Sequence, residues 1–229
     1  MNCLQFVKRL ILKTGIHFSN KLTILINVLR SGKVIKKFSN KKIFKTRHDL
    51  YKYLNNDLLK NEKIDYLEFG VYQGHSMGDW ITLNKNRSSR FIGFDSFTGL
   101  PSDWIKLSGT LSKGCFTTYG EIPLHLIQDE RVKFVKGFFQ DTLDLFLKKF
   151  EFRNQLVINL DADLYSSTLY VLTLLNKHIQ PDTIIIFDEF TSGDECGALI
   201  DYSNSYLREF EVIAVAGKAF QQVAIKMKR

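Results

Sequence analysis

Acidic residues are missing from the start of this 229-residue chain. The first 48 residues contain twelve lysines and arginines and no Asp or Glu, and the first carboxylate is Asp49. The formal net charge is +8, yet residues 49–229 hold 20 bases and 24 acids, a net of −4. A nucleic-acid-binding domain should carry its positive charge over its folded face. This distribution excludes a uniformly basic domain of that kind, and we expect no nucleic acid among the partners.

Cysteine, proline and long apolar runs are also scarce. Three cysteines, Cys3, Cys115 and Cys196, are too few and too widely spaced for a disulfide framework or a zinc site. We therefore expect three reduced thiols in a cytoplasmic protein. No run reaches the roughly 20 apolar residues of a transmembrane helix. Lys8 and Arg9 interrupt the early apolar residues, which disfavours a signal peptide.

The acid-free segment, residues 1–48, is predicted to be a basic helical extension of a single domain over residues 49–229. Residues 3–14 place apolar side chains at helical spacing, with lysines and arginine between them. Such a helix can lie on an anionic membrane surface, pack on the domain or bind a partner, and all three remain open. A peripheral membrane contact would involve residues 1–45. Residues 31–45 are predicted to be a basic linker or lid. The basic segment as a whole is expected to take no part in the chemistry of the domain.

The rest of the chain alternates short apolar runs with helical patterns and has ample apolar residues for a core. This alternation is typical of βαβ units and predicts an α/β fold with a mostly parallel sheet. Residues 96–130 lack clear periodicity, and so long an irregular stretch in a compact domain is usually a lid or binding loop. Acids end four predicted strands, namely Glu68, Asp95, Asp161 and Asp188. In an open α/β sheet these strand ends meet in one ligand-binding crevice.

The first of these strand ends leads into a glycine-containing turn. Gly70 and Gly74 lie four apart between a strand and a helix, so the third glycine of the dinucleotide fingerprint is missing, which disfavours a nicotinamide oxidoreductase. Glu68 would repel a pyrophosphate and favour a cationic group such as the ammonium of an amino acid. An ordinary β-to-α turn is the alternative.

Two further strand ends suggest a nucleoside site. Asp95 is placed to accept hydrogen bonds from both hydroxyls of a ribose, although an Asp before Ser96 is also a common turn signal. Gln140 or Asp141 could bind an adenine amino group. Asp141 could equally cap its helix.

The last two strand ends hold four acids, Asp161, Asp163, Asp188 and Glu189. Carboxylates in one cleft repel each other unless a cation or proton offsets them. Their oxygens suit Mg²⁺, which could bind neighbouring hydroxyls of a substrate and ease the loss of a proton. Caps and turn acids are the alternative.

At these residues the chain resembles the S-adenosylmethionine-dependent methyltransferases of the Rossmann-like class. More narrowly, it resembles the sugar O-methyltransferases that act on macrocin and mycinamicin. The matching stretches are YLEFGVYQGHS (66–76), FIGFDSFTGLP (91–101), VKFVKGFFQDTL (132–143), LDADLYSST (160–168), IIIFDEF (184–190) and FQQVAIK (220–226). The chain departs from the family at Asp188-Glu189, where members often carry two aspartates, and most of all between residues 101 and 130.

The resemblance implies a seven-stranded sheet with an antiparallel last strand, S-adenosylmethionine as cofactor and a sugar or glycosylated small molecule as acceptor. The implied cofactor-binding residues are Glu68, Gly70, Tyr72, Gly74, Ser76, Asp95, Ser96, Gln140 and Asp141. Asp161, Asp188 and Glu189 match the family's magnesium positions. Asp161 and His125 are candidates for the base that takes the hydroxyl proton. Transfer to a catechol-like hydroxyl, and a nucleotide-binding module without catalysis, remain alternatives, and a homo-oligomer is a further option.

Overall fold

An eight-stranded sheet forms the centre of the fold. The structure is a computed structural model that describes residues 3–14, 20–36 and 42–229. The strands in chain order are β1 Ile43–Phe44, β2 Ile64–Phe69, β3 Arg90–Asp95, β4 Trp104–Lys106, β5 Gly109–Leu111, β6 Val132–Lys136, β7 Gln155–Leu160, β8 Ile184–Phe187, β9 Phe210–Ala216 and β10 Gln222–Met227. The helices are α1 Cys3–Thr14, α2 Asn20–Lys36, α3 Arg47–Tyr53, α4 His75–Leu83, α5 Phe139–Leu147, α6 Tyr165–Leu175 and α7 Asp194–Ser205.

The sheet has the order β1-β9-β10-β8-β7-β2-β3-β6. β10 is antiparallel to both of its neighbours, and all the other pairs are parallel. The central strands are buried on both faces, as parallel strands covered by helices must be, and all six residues of β2 and all four of β8 are buried. The predicted α/β class and antiparallel last strand are confirmed.

The sheet has eight strands instead of the predicted seven. The extra one is β1, which pairs in parallel with β9 through Ile43 and Val215. Two residues are too few to show a period of two, so the sequence pattern could not reveal this strand. The prediction of a linker or lid over residues 31–45 was wrong at both ends, because α2 continues to Lys36 and β1 joins the sheet.

The predicted lid also contains regular structure. Within residues 96–130, β4 and β5 form an antiparallel hairpin, with Trp104 opposite Leu111. Trp104 is 2% exposed and packs with Leu100 and Leu164 in a small separate core. The hairpin is therefore attached to the domain and does not extend freely into solvent.

The two N-terminal helices differ in how they contact the domain. α2 packs against α7, where Arg30 forms an ion pair of 2.6 Å with Asp201. The α1 side chains of Leu4, Phe6 and Val7 are 77%, 55% and 42% exposed. α1 confirms the predicted helix over residues 3–14. In the part of the chain that the structure describes, no helix is long and apolar enough to cross a membrane.

Candidate functional site

A cavity of ≈ 290 Å³ opens where the carboxyl ends of β2, β3, β7 and β8 meet. Eight of the predicted site residues line it: Gly70, Tyr72, Asp95, Ser96, Gln140, Asp161, Asp188 and Glu189. Asp163 also lines it. The convergence predicted from the strand ends is thus present for Asp95, Asp161 and Asp188.

Gly70 brings the ends of β2 and β7 together. Its φ is +92°, and a Cβ atom there would lie 1.9 Å from the backbone oxygen of Asp161. Only glycine fits this approach, because any side chain would collide with backbone that cannot move aside. Gly70 therefore fixes where Asp161 leaves the sheet.

Asp95 organises the turn that follows β2. Its Oδ2 atom accepts hydrogen bonds of 2.8 Å from the backbone N–H groups of both Val71 and Tyr72. Its Oδ1 atom accepts one of 2.6 Å from the N–H of Phe97. A carboxylate offers about four acceptor positions, so one remains. In this arrangement Asp95 can accept one further hydroxyl, not the two expected from the sequence.

Glu68 lies behind the cavity and does not line it. It is fully buried, and its Oε1 and Oε2 atoms accept hydrogen bonds from the hydroxyls of Ser76 and Tyr66. Burial raises the pKa of Glu68 to about 7, although the two hydrogen bonds oppose the shift. Gly74 and Ser76 are also outside the residues that line the cavity.

Aromatic and amide side chains at the beginning of α5 form one wall of the cavity. Phe138, Phe139 and Gln140 line the cavity, whereas Asp141 does not. Asp141 stands in the first turn of α5, whose N-cap is Phe138 without a side-chain cap. Asp141 is therefore not the N-cap residue of α5.

The acidic residues gather at one end of the cavity. Asp161 and Asp188 directly follow β7 and β8, in which Leu160 pairs with Phe187. Burial, followed by the negative charges of Asp188 and Asp163, raises the pKa of Asp161 well above its usual range. Burial raises the pKa of Asp163 to about 7, although Lys106 opposes the shift. Asp163 holds a left-handed backbone with φ of 58°, which points to a constrained turn after β7.

Two basic side chains contact this acidic end. Arg47 places its Nη1 atom 3.2 Å from Oδ1 of Asp188 and 4.0 Å from Oδ2 of Asp161. Lys106 places its Nζ atom 3.8 Å from Oε2 of Glu189. The same ammonium lies 3.5 Å from the centre of the Trp104 ring, a cation–π contact.

The predicted magnesium ligands do not fit a metal ion in this arrangement. Across residues 3–14, 20–36 and 42–229, no group of three or more His, Cys, Asp or Glu side chains is arranged to hold one. The oxygens of Asp161, Asp188 and Glu189 suit Mg²⁺ chemically. However, Asp161 and Asp188 share the Arg47 guanidinium, and Glu189 faces Lys106.

His125, the second candidate base, lies on an exposed turn outside the residues that line the cavity. Sequence reasoning also missed several residues of the site, among them Trp104, Lys106 and Arg47. Trp104 and Lys106 fall in the stretch without periodicity, where their i, i+2 spacing on one strand was the available signal. Arg47 falls in the basic segment, which was expected to take no part in the chemistry.

The strand order, the antiparallel strand β10 and the strand-end cavity together define the Rossmann-like methyltransferase fold. Residues 44–213 match the family described as macrocin-O-methyltransferase (TylF), and the chain belongs to that family. The match includes Arg47 and the whole cavity.

Known proteins that are similar to this chain include one sequence relative and two solved structures. One relative is the 8-demethyl-8-(2,3-dimethoxy-alpha-L-rhamnosyl)-tetracenomycin-C 4'-O-methyltransferase of Streptomyces olivaceus, 26% identical over 157 residues. The match covers 62% of this chain and 59% of that protein's length. The O-methyltransferase NovP has a similar solved structure, with 22% identity, a TM-score of 0.61 and 80% of each chain covered. An O-methyltransferase from Bacillus cereus, solved in complex with SAH, has 12% identity, a TM-score of 0.55 and 97% of each chain covered.

Proposed function

We propose that this protein is an S-adenosylmethionine-dependent O-methyltransferase that acts on a hydroxyl of a sugar or glycosylated small molecule. The observation that carries the proposal is the strand-end cavity, which combines a nucleoside-type wall with a cluster of carboxylates. Family membership supports methyl transfer. The S. olivaceus relative, named for a rhamnosyl compound, supports a glycosylated acceptor.

The residues along one side of the cavity suit the cofactor. Asp95 has one acceptor position free for a ribose hydroxyl, and Gln140 can hydrogen-bond the edge of an adenine whose ring packs on Phe138 or Phe139. Gly70 has no side chain, so no side-chain atoms cover the backbone where the turn after β2 begins. Glu68 would act indirectly, since its hydrogen bond to Ser76 joins β2 to the start of α4.

The opposite side suits a polyhydroxylated acceptor. Asp161, Asp163 and Glu189 present hydrogen-bond acceptors, while Trp104 and Phe116 add aromatic surface. A cavity that combines apolar walls with a few convergent polar groups is the usual form of a small-molecule site. A catechol-like acceptor would need fewer hydrogen-bonding partners than this side provides.

The proposed reaction depends more on aligning the acceptor oxygen than on activating the methyl group. Bound S-adenosylmethionine supplies a methyl group that is already electrophilic, so the protein must hold an acceptor oxygen in line with it. The new carbon–oxygen bond forms as the carbon–sulfur bond breaks, and sulfur keeps the electron pair. We assign to Asp161 the proton that the hydroxyl loses, because this carboxylate lines the cavity whereas His125 does not. Because the predicted magnesium ligands do not fit in this arrangement, no step is assigned to a metal.

Calorimetric titration with S-adenosylmethionine tests the cofactor. We expect saturable binding that Asp95→Asn weakens, since the amide loses one acceptor oxygen, while Asp144→Asn on the exposed surface of α5 leaves it unchanged. Absence of binding to the wild-type protein would contradict the proposal. Transfer of a labelled methyl group to a panel of glycosylated compounds and catechols then identifies the acceptor class. Binding without transfer to any compound would favour a nucleotide-binding module.

A further inference from the structure

The negative charges at the acidic end of the cavity are offset by an unusual partner. Asp161 and Asp188 stand side by side because they follow neighbouring parallel strands. Two adjacent carboxylates need a cation or a proton between them, since otherwise their repulsion opposes the fold. Among the described residues, the cation near both of them is Arg47.

Arg47 is held in this position by its own segment. It is the first residue of α3, and the N-cap hydroxyl of Thr46 accepts a hydrogen bond of 3.1 Å from the N–H of Asp49. Just before it, β1 pairs with β9, so the chain is anchored on both sides of Arg47. The Arg47 side chain is 30% exposed and that of Asp188 is 13% exposed, so the pair is partly shielded from water. A guanidinium stays charged under all physiological conditions.

The contacts of Asp188 leave little room for a second cation. Its Oδ1 atom accepts hydrogen bonds from Nη1 of Arg47 at 3.2 Å and from Nε2 of Gln222 at 3.3 Å. The oxygen's two acceptor positions are then filled. A divalent ion that bound this oxygen would have to displace one of these donors. Glu189, the third predicted ligand, already lies opposite Lys106.

We propose that the Arg47 guanidinium, assisted by Lys106, is the built-in counter-ion of this carboxylate cluster and takes the place of a divalent metal. Arg47 is a positioning residue, since it orients Asp161 and Asp188 and does not line the cavity itself. The inference deepens the proposed function, because it predicts O-methyl transfer that is independent of metal.

The test compares metal binding with metal dependence. Mn²⁺, a spectroscopic substitute for Mg²⁺, is titrated into wild-type protein, Arg47→Gln and Arg47→Lys, and free Mn²⁺ is followed by electron paramagnetic resonance. We expect weak binding to wild type and to Arg47→Lys. Arg47→Gln should bind at least about tenfold more tightly, because an uncompensated pair of carboxylates attracts a hard cation. Arg87→Gln, which removes an exposed arginine away from the cavity, should match wild type.

Methyl transfer supplies the second measurement. Wild-type activity should survive exhaustive chelation and gain nothing from added Mg²⁺, whereas Arg47→Gln should lose activity and recover part of it with Mg²⁺. Loss of wild-type activity on chelation with rescue by Mg²⁺ would overturn the proposal. Wild-type Mn²⁺ affinity equal to that of Arg47→Gln would overturn it as well. If Arg47→Gln does not fold, the wild-type Mn²⁺ titration and chelation decide. Failure of S-adenosylmethionine binding would instead reject the proposed function, and the Mn²⁺ measurements would still stand.

Discussion

Glu68 is a buried acid whose ionisation is unfavourable in the folded protein. Its pKa is about 7 in the folded protein against an ordinary value of 4.5, because burial disfavours the charged form. Between these two pH values the folded state keeps a proton that the unfolded chain has released. The free energy of unfolding should therefore fall as pH rises through this window.

Replacing Glu68 by glutamine removes this ionisation and keeps the shape of the side chain. The stability of Glu68→Gln relative to wild type should improve by about 2–3 kcal/mol between pH 5 and pH 8, at 1.36 kcal/mol for each unit of pKa shift. Urea unfolding of both proteins at the two pH values measures this difference. Glu121→Gln, at an exposed position, serves as control. An unchanged relative stability would show that Glu68 ionises normally.

Asp161 has the position expected of the base in the proposed reaction. Asparagine at this site has nearly the same shape but cannot take a proton. Asp161→Asn should therefore lower kcat by about 10²- to 10⁴-fold, the usual contribution of a general base. Calorimetry should show that binding of S-adenosylmethionine persists. Full turnover by the variant would eliminate Asp161 as the base and leave proton loss to solvent or to another acid of the cluster.

At the scale of elements, the buried Trp104 side chain attaches the β4–β5 hairpin to the domain. The Trp104 side chain is buried and its Nε1 atom donates a hydrogen bond of 2.9 Å to Oδ2 of Asp194 at the start of α7. Lys106, two residues further along β4, reaches Glu189 from the same hairpin. The hairpin thus supplies both a wall and a positive charge to the cavity.

Two substitutions of Trp104 separate its packing from its hydrogen bond. Trp104→Phe keeps most of the packing and should cost about 1–3 kcal/mol, because the Asp194 carboxyl loses its donor. Trp104→Ala should cost about 3–5 kcal/mol, because it also leaves a cavity. Urea unfolding followed by circular dichroism measures both. Equal losses for the two variants would mean that the hydrogen bond alone holds the hairpin.

The elements also show which site residues can be predicted from sequence patterns. Asp95, Asp161 and Asp188 were predictable, because buried strands are recognisable and their carboxyl ends must meet in a parallel sheet. Arg47 was not, since its partner Asp188 is 141 residues away and no local pattern records that contact. Glu68 was correctly placed on β2, yet its inward hydrogen bonds to Tyr66 and Ser76 depend on packing that the linear pattern does not contain.

At the scale of the whole molecule, the division of the chain into a positive and a net-negative part does not coincide with the limits of the functional site. The positive first 48 residues and the net-negative remainder were expected to act separately, with no part for the basic segment in the chemistry. Arg47 instead belongs by composition to the basic segment and by contact to the acidic end of the cavity. β1 and α2 are attached to the sheet and to α7. The domain boundary after residue 48 therefore remains a prediction, which truncation of the chain can test.

α1 is a basic helix with an exposed apolar face. Leu4, Phe6 and Val7 are exposed next to Lys8 and Arg9, and the first 48 residues contain no acid that would repel an anionic surface. An amphipathic helix of this composition binds the interface of anionic membranes through buried apolar area and charge attraction together. We therefore expect the protein to sediment with vesicles containing phosphatidylglycerol but not with vesicles of pure phosphatidylcholine.

Two variants and one control separate the parts of this interaction. Replacing Leu4, Phe6 and Val7 by serine should abolish sedimentation, and Lys8→Glu with Arg9→Glu should reduce it, since both the apolar and the electrostatic parts are required. Added salt should weaken the binding of wild type, because attraction between exposed charges is screened. Leu145→Ser, which removes an exposed apolar residue from α5, should bind like wild type. If wild type ignores anionic vesicles, and the serine variant instead converts a dimer into a monomer in size-exclusion chromatography, the apolar face of α1 is covered by a second copy of the chain and not by lipid.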